Sequence, residues 1–479
     1  MKKQLLICLA TTLIVLGACK KNSDVSRDPI NPSGNLTSFT ASVVERIPTS
    51  AVISWTECVD IVNAGVVKYK VLLDGQVIHT DLSQLRDTLY NITGDNVYAG
   101  KVIAYTANGD STSADFSLPK INGMAIFGRT DNSVIKNVVE AYDIFTGARL
   151  WRTITGTANS SLFTMPTISH DTLFICKSQT NDYSVYALNC KTGALLWSAV
   201  PSSGSNVITT VCYYQGKLYA TLNGKVICLN AATGQLLWTY QNASSNFDSR
   251  AMVENGRVYV GTYNGGGSDL YALNADNGSV AWHYTFAGSY AGRPLINNGN
   301  LYFCTSTDMY ELTEATGTMI WDRPADANFQ CGSSPVMYNN TLITSGGDPG
   351  IFALNPSTGA TIWNYANGVS TGSPSFGNGN IYFGQDYSST KKLTCINGST
   401  GAELWQVDGI PTFYSTFAKN RIYLFGPFYD QIDIRDAATG YPLDNIGDPN
   451  NHYYNVTGAF TLYINDSAYY HPEHPNFKL

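Results

Sequence analysis

Ala187-Leu188-Asn189-Cys190-Lys191-Thr192-Gly193-Ala194-Leu195-Leu196-Trp197 decides the fold, because it recurs. Its glycine returns as Gly147, Gly193, Gly234, Gly278, Gly317, Gly359, Gly401 and Gly440, at spacings of 46, 41, 44, 39, 42, 42 and 39 residues. Trp151, Trp197, Trp238, Trp282, Trp321, Trp363 and Trp405 each follow that glycine by four residues, and only the eighth copy departs, with Asp444. With Trp55 these account for all eight tryptophans of the chain, so the indoles are architectural rather than ligand contacts. A period of about 40 residues marks a repeat architecture.

Each copy has the same internal grammar. Ser373 to Gly384 reads as a strand, an Asn378-Gly379 turn and a second strand; Leu393 to Trp405 adds a third strand, a Thr-Gly turn and a fourth strand carrying the Trp. Asn or Asp at the third motif position (Asp143, Asn189, Asn230, Asn274, Asn355, Asn397, Asp436) suits a side chain bonded to the turn backbone. Glycine accepts the positive φ of the turn. Four antiparallel strands make a blade, and one blade cannot bury both of its faces alone. The expectation is therefore all-β, with blades stacked around an axis and closed into a ring.

The Ala-x-Asn-x-x-Thr-Gly-x-x-x-Trp signature resembles the tryptophan-docking motif of pyrroloquinoline-quinone (PQQ) type propellers, over about residues 121–470. The resemblance implies that each Trp packs against the next blade. Eight motifs favour eight blades. Gly458 to Ile464 and Ser467 to Tyr470 repeat the first-strand pattern, so the C-terminus is expected to supply blade 1 with its missing strand. Ala468 to Tyr470 competes with Met124 to Phe127 for one slot, which leaves seven regular blades plus an irregular one as the alternative count.

The N-terminus has its own logic. Lys2 and Lys3 precede an apolar run from Leu5 to Leu16 that is too short to span a bilayer. Leu16-Gly17-Ala18-Cys19 resembles the bacterial lipobox, which implies cleavage before Cys19 and acylation of that residue. Lys20 departs from the Asp-type signal for inner-membrane retention, so the outer membrane is expected, facing either the periplasm or the cell surface. Residues 1–18 thus form a signal peptide, and residues 19–35 a polar tether spanning roughly 20–25 Å. The mature chain keeps 27 basic and 36 acidic side chains, a net charge of −9. That balance disfavours nucleic acid as a partner.

Residues 36–118 alternate apolar and polar side chains in short runs, with Asp74-Gly75 as a hairpin signal, and predict a small β-sandwich. The pattern resembles a fibronectin type III module, Trp55 standing at its core Trp and Tyr98 at its corner Tyr. This implies a spacer. The propeller then occupies residues 121–479.

The propeller resemblance raises a PQQ- and Ca²⁺-dependent alcohol or sugar dehydrogenase as one function class. The sequence has no Cys-Cys pair, no Cys-x-x-Cys-His and no long insertion between repeats to build a lid. No catalytic, cofactor-binding or metal residue is assigned, and no cofactor is expected. Cys176 and Cys304 fall at a small second-strand position, and Cys228 and Cys395 at the motif Ala position, as small core residues. Cys58, Cys190, Cys212 and Cys331 lack that explanation, and their pairing is open. His471-Pro472-Glu473-His474 has metal-like spacing but reads as an exposed terminal tail.

The favoured class is a non-catalytic envelope lipoprotein, monomeric, that binds a protein or glycan through its propeller. It is similar in architecture to the propeller lipoprotein of the outer-membrane barrel assembly machinery, from which the sandwich departs. Two ligand sites are candidates. Overlaying the repeats places Met165, Thr210, Arg250, Arg293, Ser334, Ser373, Tyr414 and Phe460 just before the first-strand Pro position. Arg250 and Arg293 would then stand in neighbouring blades near the channel mouth, suited to an anionic group. The second is an aromatic cluster around the last blade, Phe413, Tyr414, Phe428, Tyr429, Tyr453 and Tyr454, suited to sugar rings.

Overall fold

The computed structural model describes residues 35–47, 50–92, 96–118, 123–131, 136–145, 147–157, 162–179, 182–201, 209–222, 224–242, 246–247, 249–263, 268–306, 308–324, 329, 333–346, 350–366, 374–387, 390–410, 414–425, 432–446, 460–464, 467–470, 474 and 476–477. Cys19, Phe413, Phe428, Tyr429, Tyr453 and Tyr454 lie outside them. All regular elements among the described residues are strands. The chain divides into two compact units, Met1–Pro119 and Lys120–Leu479.

The first unit is a β-sandwich. One sheet pairs Ala41–Ile47, Ser50–Trp55 and Arg86–Tyr90; the other runs Gln76–Leu82, Lys68–Leu73, Tyr98–Tyr105, Ser111–Leu118. Alternation along Ser50–Trp55 and Lys68–Leu73 turns Ile53, Trp55, Tyr69 and Val71 into one core shared by both sheets. Trp55 packs on Tyr69 with ring centroids 5.4 Å apart. Asp74 (φ 48°) and Gly75 (φ 79°) make the tight hairpin between Lys68–Leu73 and Gln76–Leu82.

The second unit is an eight-bladed β-propeller, all-β as expected. Among the described residues its eight sheets are antiparallel, five of four strands, as in Ser375–Gly377, Asn380–Tyr387, Thr390–Asn397 and Glu403–Asp408, and three, in blades 1, 2 and 4, of five. First strands of successive blades touch one another, which places them on the axis. The seven-blade alternative fails at the seam. Thr461–Ile464 pairs with Gly123–Asp131 as the innermost regular strand of blade 1, and Ser467–Tyr469 pairs with its free edge. The two segments therefore occupy different slots and do not compete.

The motif works as its chemistry requires. Asn189 Oδ1 accepts from the backbone N–H groups of Lys191 and Thr192, both at 3.0 Å, closing the turn that Gly193 completes at φ 72°. The indole of each blade then lies on the motif glycine of the next. A Cβ on Gly193 would stand 2.5 Å from Trp151, and on Gly317 2.5 Å from Trp282. The indole N–H of Trp151, Trp197, Trp238, Trp282 and Trp321 donates to the carbonyls of Cys190, Ala231, Ala275, Glu314 and Pro356, each in the following blade, at 3.0–3.1 Å. Seven such joints link the ring, from Trp151 over Gly193 to Trp405 over Gly440.

Cys58, Cys176, Cys190, Cys212, Cys228 and Cys395 are free and buried. Cys304, expected as a free core thiol, is instead disulfide-bonded. Burial pushes the Cys176 and Cys395 thiols up to about 12, and those of Cys190 and Cys228 to about 11. Because the thiolate is the nucleophile, these four should resist alkylation at about pH 8 in the folded protein and react at once in denaturant. Mass spectrometry after pulse labelling reads the difference.

Glycine substitutions should separate turn strain from indole docking. Gly299 (φ 79°) has nothing within 4 Å of a Cβ, so Gly299→Ala meets only the positive-φ penalty, about 1–2 kcal/mol. Gly317→Ala, at φ 68°, meets that penalty and also the indole of Trp282, and overpacking adds about 1–3 kcal/mol. Equilibrium unfolding should rank Gly317→Ala clearly below Gly299→Ala.

Candidate binding site on the propeller axis

The strand that ends at Tyr469 delivers the last residues of the chain onto the axis. Tyr470 exchanges two hydrogen bonds with Ile168, on the first strand of blade 2: its hydroxyl donates to the Ile168 carbonyl at 2.8 Å and accepts from the Ile168 N–H at 2.9 Å. Burial pushes the Tyr470 phenol up. Its ring stacks on His474, centroids 4.0 Å apart and planes 10° apart. His474 is fully buried.

The neighbours of His474 settle its tautomer. The Asn476 N–H donates to Nδ1 at 3.0 Å, so Nε2 carries the proton and donates to Thr167 Oγ1, also at 3.0 Å. The Thr167 hydroxyl donates to the Val211 carbonyl at 2.6 Å, tying blade 2 to blade 3. Asn476 then caps the first strand of blade 3. Its Oδ1 accepts from the Tyr213 N–H at 2.8 Å, and its Nδ2 donates to the Tyr213 carbonyl at 2.7 Å. Phe477 packs against the apolar cluster of blades 6 and 7 that holds Val336 and Phe376.

Contacts with blades 2 and 3 on one side, and blades 5 to 7 on the other, put Tyr470, His474, Asn476 and Phe477 across the axis. The exposed tail expected at His474 is therefore corrected: His474 is fully buried, and it and its described neighbours Tyr470, Asn476 and Phe477 meet partners on five blades. His471, Pro472 and Glu473 lie outside the described residues. Sequence reading missed these contacts because His474, Asn476 and Phe477 belong to no repeat, and the first-strand pattern that includes Tyr470 does not report its partner.

Arg250 and Arg293 fall in consecutive blades, in the residues just before Met252–Glu254 and within Tyr290–Asn297. Arg293 is not an open anion site. It is 3% exposed, its guanidinium lies 5.2 Å from the Phe477 ring, and it donates to the Pro294 carbonyl at 3.3 Å. Its backbone N–H donates to Ser334 Oγ of blade 6 at 2.8 Å. Arg250 is half-buried. Tyr414 begins the first strand of blade 8, and its side chain, with the rest of the aromatic cluster, lies outside the described residues.

Blade 1 contains one further ionic group without a sequence signal. Arg129 Nε lies 2.7 Å from Glu140 Oε2, both side chains fully buried, and Tyr142 donates to the same oxygen at 3.2 Å. Arg149 and Arg152 reach the other carboxylate oxygen at 3.4 and 3.5 Å. The group ties the second, third and fourth strands of one blade together, and a buried pair of this kind costs several kcal/mol when one partner is removed. Among the described residues no three His, Cys, Asp or Glu side chains converge as a metal-binding group.

Asn476→Ala would leave the Tyr213 N–H and carbonyl without their partner, a loss of about 2 kcal/mol. The expected outcome is a lowered unfolding midpoint together with faster hydrogen exchange at the Tyr213 amide. An unchanged amide would mean that the tail does not sit on blade 3 in solution.

The family model described as "Outer membrane protein assembly factor BamB" matches residues 98–266, 222–368 and 353–426, more than half of the chain. The outer membrane protein assembly factor BamB of Yersinia pestis is 31% identical over 156 residues, 30% of this chain and 39% of that protein. The dehydrogenase subunit of the quinone alcohol dehydrogenase of Komagataeibacter europaeus is 24% identical over 315 residues, 56% of this chain and 41% of that protein. The chain thus spans about two fifths of the length of these curated relatives. Among solved structures, apo AztD from Citrobacter koseri is similar in fold, with a TM-score of 0.52 at 13% identity over 73% of this chain and 99% of that one. On its repeat region, the chain belongs to the PQQ-like β-propeller family described as outer membrane protein assembly factor BamB.

Proposed function

We propose that the protein is a non-catalytic envelope lipoprotein, held to the outer membrane through acylated Cys19, whose propeller is a binding scaffold for a protein or glycan partner. The observation that carries this reading is the occupied axis. In the resembling quinone enzymes the axis holds the cofactor; here it is crossed by the chain's own Tyr470, His474, Asn476 and Phe477. Membership in a family described by an outer-membrane assembly factor supports a protein partner. The sandwich serves as a fibronectin type III-like spacer, and the protein acts as a monomer.

Arg250 and the aromatic residues Tyr414, Phe428, Tyr429 and Tyr453 are the candidate contacts for a partner on the propeller. Arg293 fits less well, because Phe477 covers it. Capture of envelope proteins and polysaccharides by the purified chain tests the scaffold reading. A retained partner that is lost from a Tyr429→Ala, Tyr453→Ala double variant with an unchanged unfolding midpoint would support it, and equal retention would place the contact elsewhere.

The quinoprotein reading has one observation in its favour, the similarity to the quinone alcohol dehydrogenase subunit over 56% of the chain. The axial residues do not fit the cofactor well. Those with described side chains just before the first-strand Pro position are Met165, Thr210, Arg250, Arg293, Ser334 and Phe460, which offer no carboxylate for Ca²⁺. Adding PQQ and Ca²⁺ to purified protein should give no bound quinone spectrum and no dye-linked oxidation of alcohols or sugars. A spectrum with turnover would overturn the scaffold reading.

A further inference from the structure

The sandwich carries an apolar loop that its core does not use. Between Ser50–Trp55 and Lys68–Leu73 the chain projects residues 59–66, in which Val59 is 46% exposed, Ile61 63%, Val62 62% and Val66 75%. Isolated exposed apolar side chains are ordinary, but several within one short loop mark an interaction surface.

The loop has a defined shape and no exposed charge. Asp60 is its only ionisable residue and is 3% exposed. Its Oδ1 accepts the N–H groups of Val62 at 3.1 Å and Asn63 at 2.9 Å, and its Oδ2 that of Gly65 at 3.3 Å. The carboxylate is thus turned inward, and the apolar side chains are turned out.

The position of the loop indicates what it meets. The Ile61 N–H donates to the Asn35 carbonyl at 2.9 Å, and the Thr37 N–H to the Val59 carbonyl at 3.0 Å. Asn35 Nδ2 donates to Asp110 Oδ2 at 3.1 Å, immediately before the last strand, Ser111–Leu118. That strand carries the chain about 23 Å away, so the chain enters the sandwich beside the loop and leaves it at the opposite end. Ahead of Asn35 stand only the sixteen residues that begin at Cys19. A lipid on Cys19 therefore holds this end of the sandwich, and this loop, nearest the membrane.

We propose that residues 59–66 are a second, non-covalent membrane contact: the loop seats Val59, Ile61, Val62 and Val66 in the interface of a zwitterionic bilayer. The proposal rests on the lipoprotein reading for the proximity of the bilayer. Zwitterionic lipid is the fitting surface because no basic residue lies between Thr56 and Val67, and exposed Glu57 borders the loop. The tether keeps the loop at a high effective concentration near the surface, so modest burial of four side chains suffices to orient the domain.

The test uses the mature chain from Lys20 to Leu479, which retains both compact units and lacks the acylated cysteine. It is floated with vesicles of phosphatidylcholine and phosphatidylethanolamine. Wild type should co-float in proportion to lipid, and an Ile61→Asn, Val62→Asn double variant should do so about tenfold less. Both side chains are exposed, so the variant should keep the wild-type unfolding midpoint. Exchanging phosphatidylcholine for phosphatidylglycerol should weaken binding. No flotation at any lipid concentration, as expected of a loop that binds a protein instead, overturns the proposal; so does equal flotation of wild type and variant. Acylation is read separately, from the mass of the N-terminal peptide of the full-length exported protein, so loss of the anchor and loss of the loop contact are told apart.

Discussion

An indole lying on the glycine of the next blade is the contact on which the propeller depends. A four-stranded sheet has two apolar faces and no way to cover both, so each blade is stable only through its neighbours. The Trp supplies that neighbour contact with a large flat surface and one N–H, and the glycine supplies both the positive φ of the turn and the space for the ring. Neither residue is replaceable alone. A side chain on the glycine would enter the indole, and a smaller residue at the Trp would open a gap between blades.

The same contact explains the seam. Blade 8 carries Asp444 in place of Trp, and the neighbour of Gly147 there is the Asn445 carbonyl, 3.4 Å from a Cβ position. The joint between blades 8 and 1 therefore lacks its indole, at the place where pairing of Thr461–Ile464 with Gly123–Asp131 closes the ring. A large apolar cluster replaces it: Ala125, Phe127 and Ile144 of blade 1 pack with Tyr423, Ile434 and Ile446 of blade 8 and with Phe460 and Leu462 of the closing segment. Arg421 adds its guanidinium 5.8 Å from the Phe145 ring. The entropy of closing a loop grows only slowly with its length, so a junction of this size suffices for a ring of more than three hundred residues.

Repetition made the propeller legible, and its absence hid the axis. Eight motif glycines, seven spaced tryptophans and the recurring Asn-Gly turns favour eight blades and give their strand order before any coordinate is known, while the direction of docking comes from the family resemblance and the choice between seven and eight blades from the seam. His474, Asn476 and Phe477 have no counterpart in other copies, the pattern that includes Tyr470 does not report its partner, and Pro472 with a terminal location suggests an exposed tail at His474. Their partners are backbone groups of Ile168 and Tyr213, the hydroxyl of Thr167 and the guanidinium of Arg293, some 180 to 310 residues away in the chain, which no local pattern reports. Arg293 shows the same limit. Its place in the repeat was readable, but the ring that covers it was not. The cysteines divide likewise: burial at a small repeat position was foreseeable for Cys176, Cys228 and Cys395, whereas the disulfide at Cys304 depends on distance in space.

The closed axis and the apolar loop bear on one question, where such a protein keeps its binding energy. A propeller with an open channel concentrates polar side chains and solvent on its axis, and small ligands bind there. Here His474 and Asn476 satisfy the inner strands of blades 2 and 3, and Phe477 fills the space beside Arg293, so the axis is part of the core. Recognition is then moved to surfaces outside the axis. For a large partner such surfaces have an advantage, because a rigid ring presents them without reordering on binding. The sandwich extends the same principle to the membrane. Its apolar loop is fixed by the Asp60 carboxylate and by the backbone bond from Ile61 to Asn35, so little ordering entropy would remain to be lost at the proposed bilayer contact. A tether alone would leave the domain free to rotate over the proposed anchor. The proposed second contact, being preformed, would remove that freedom.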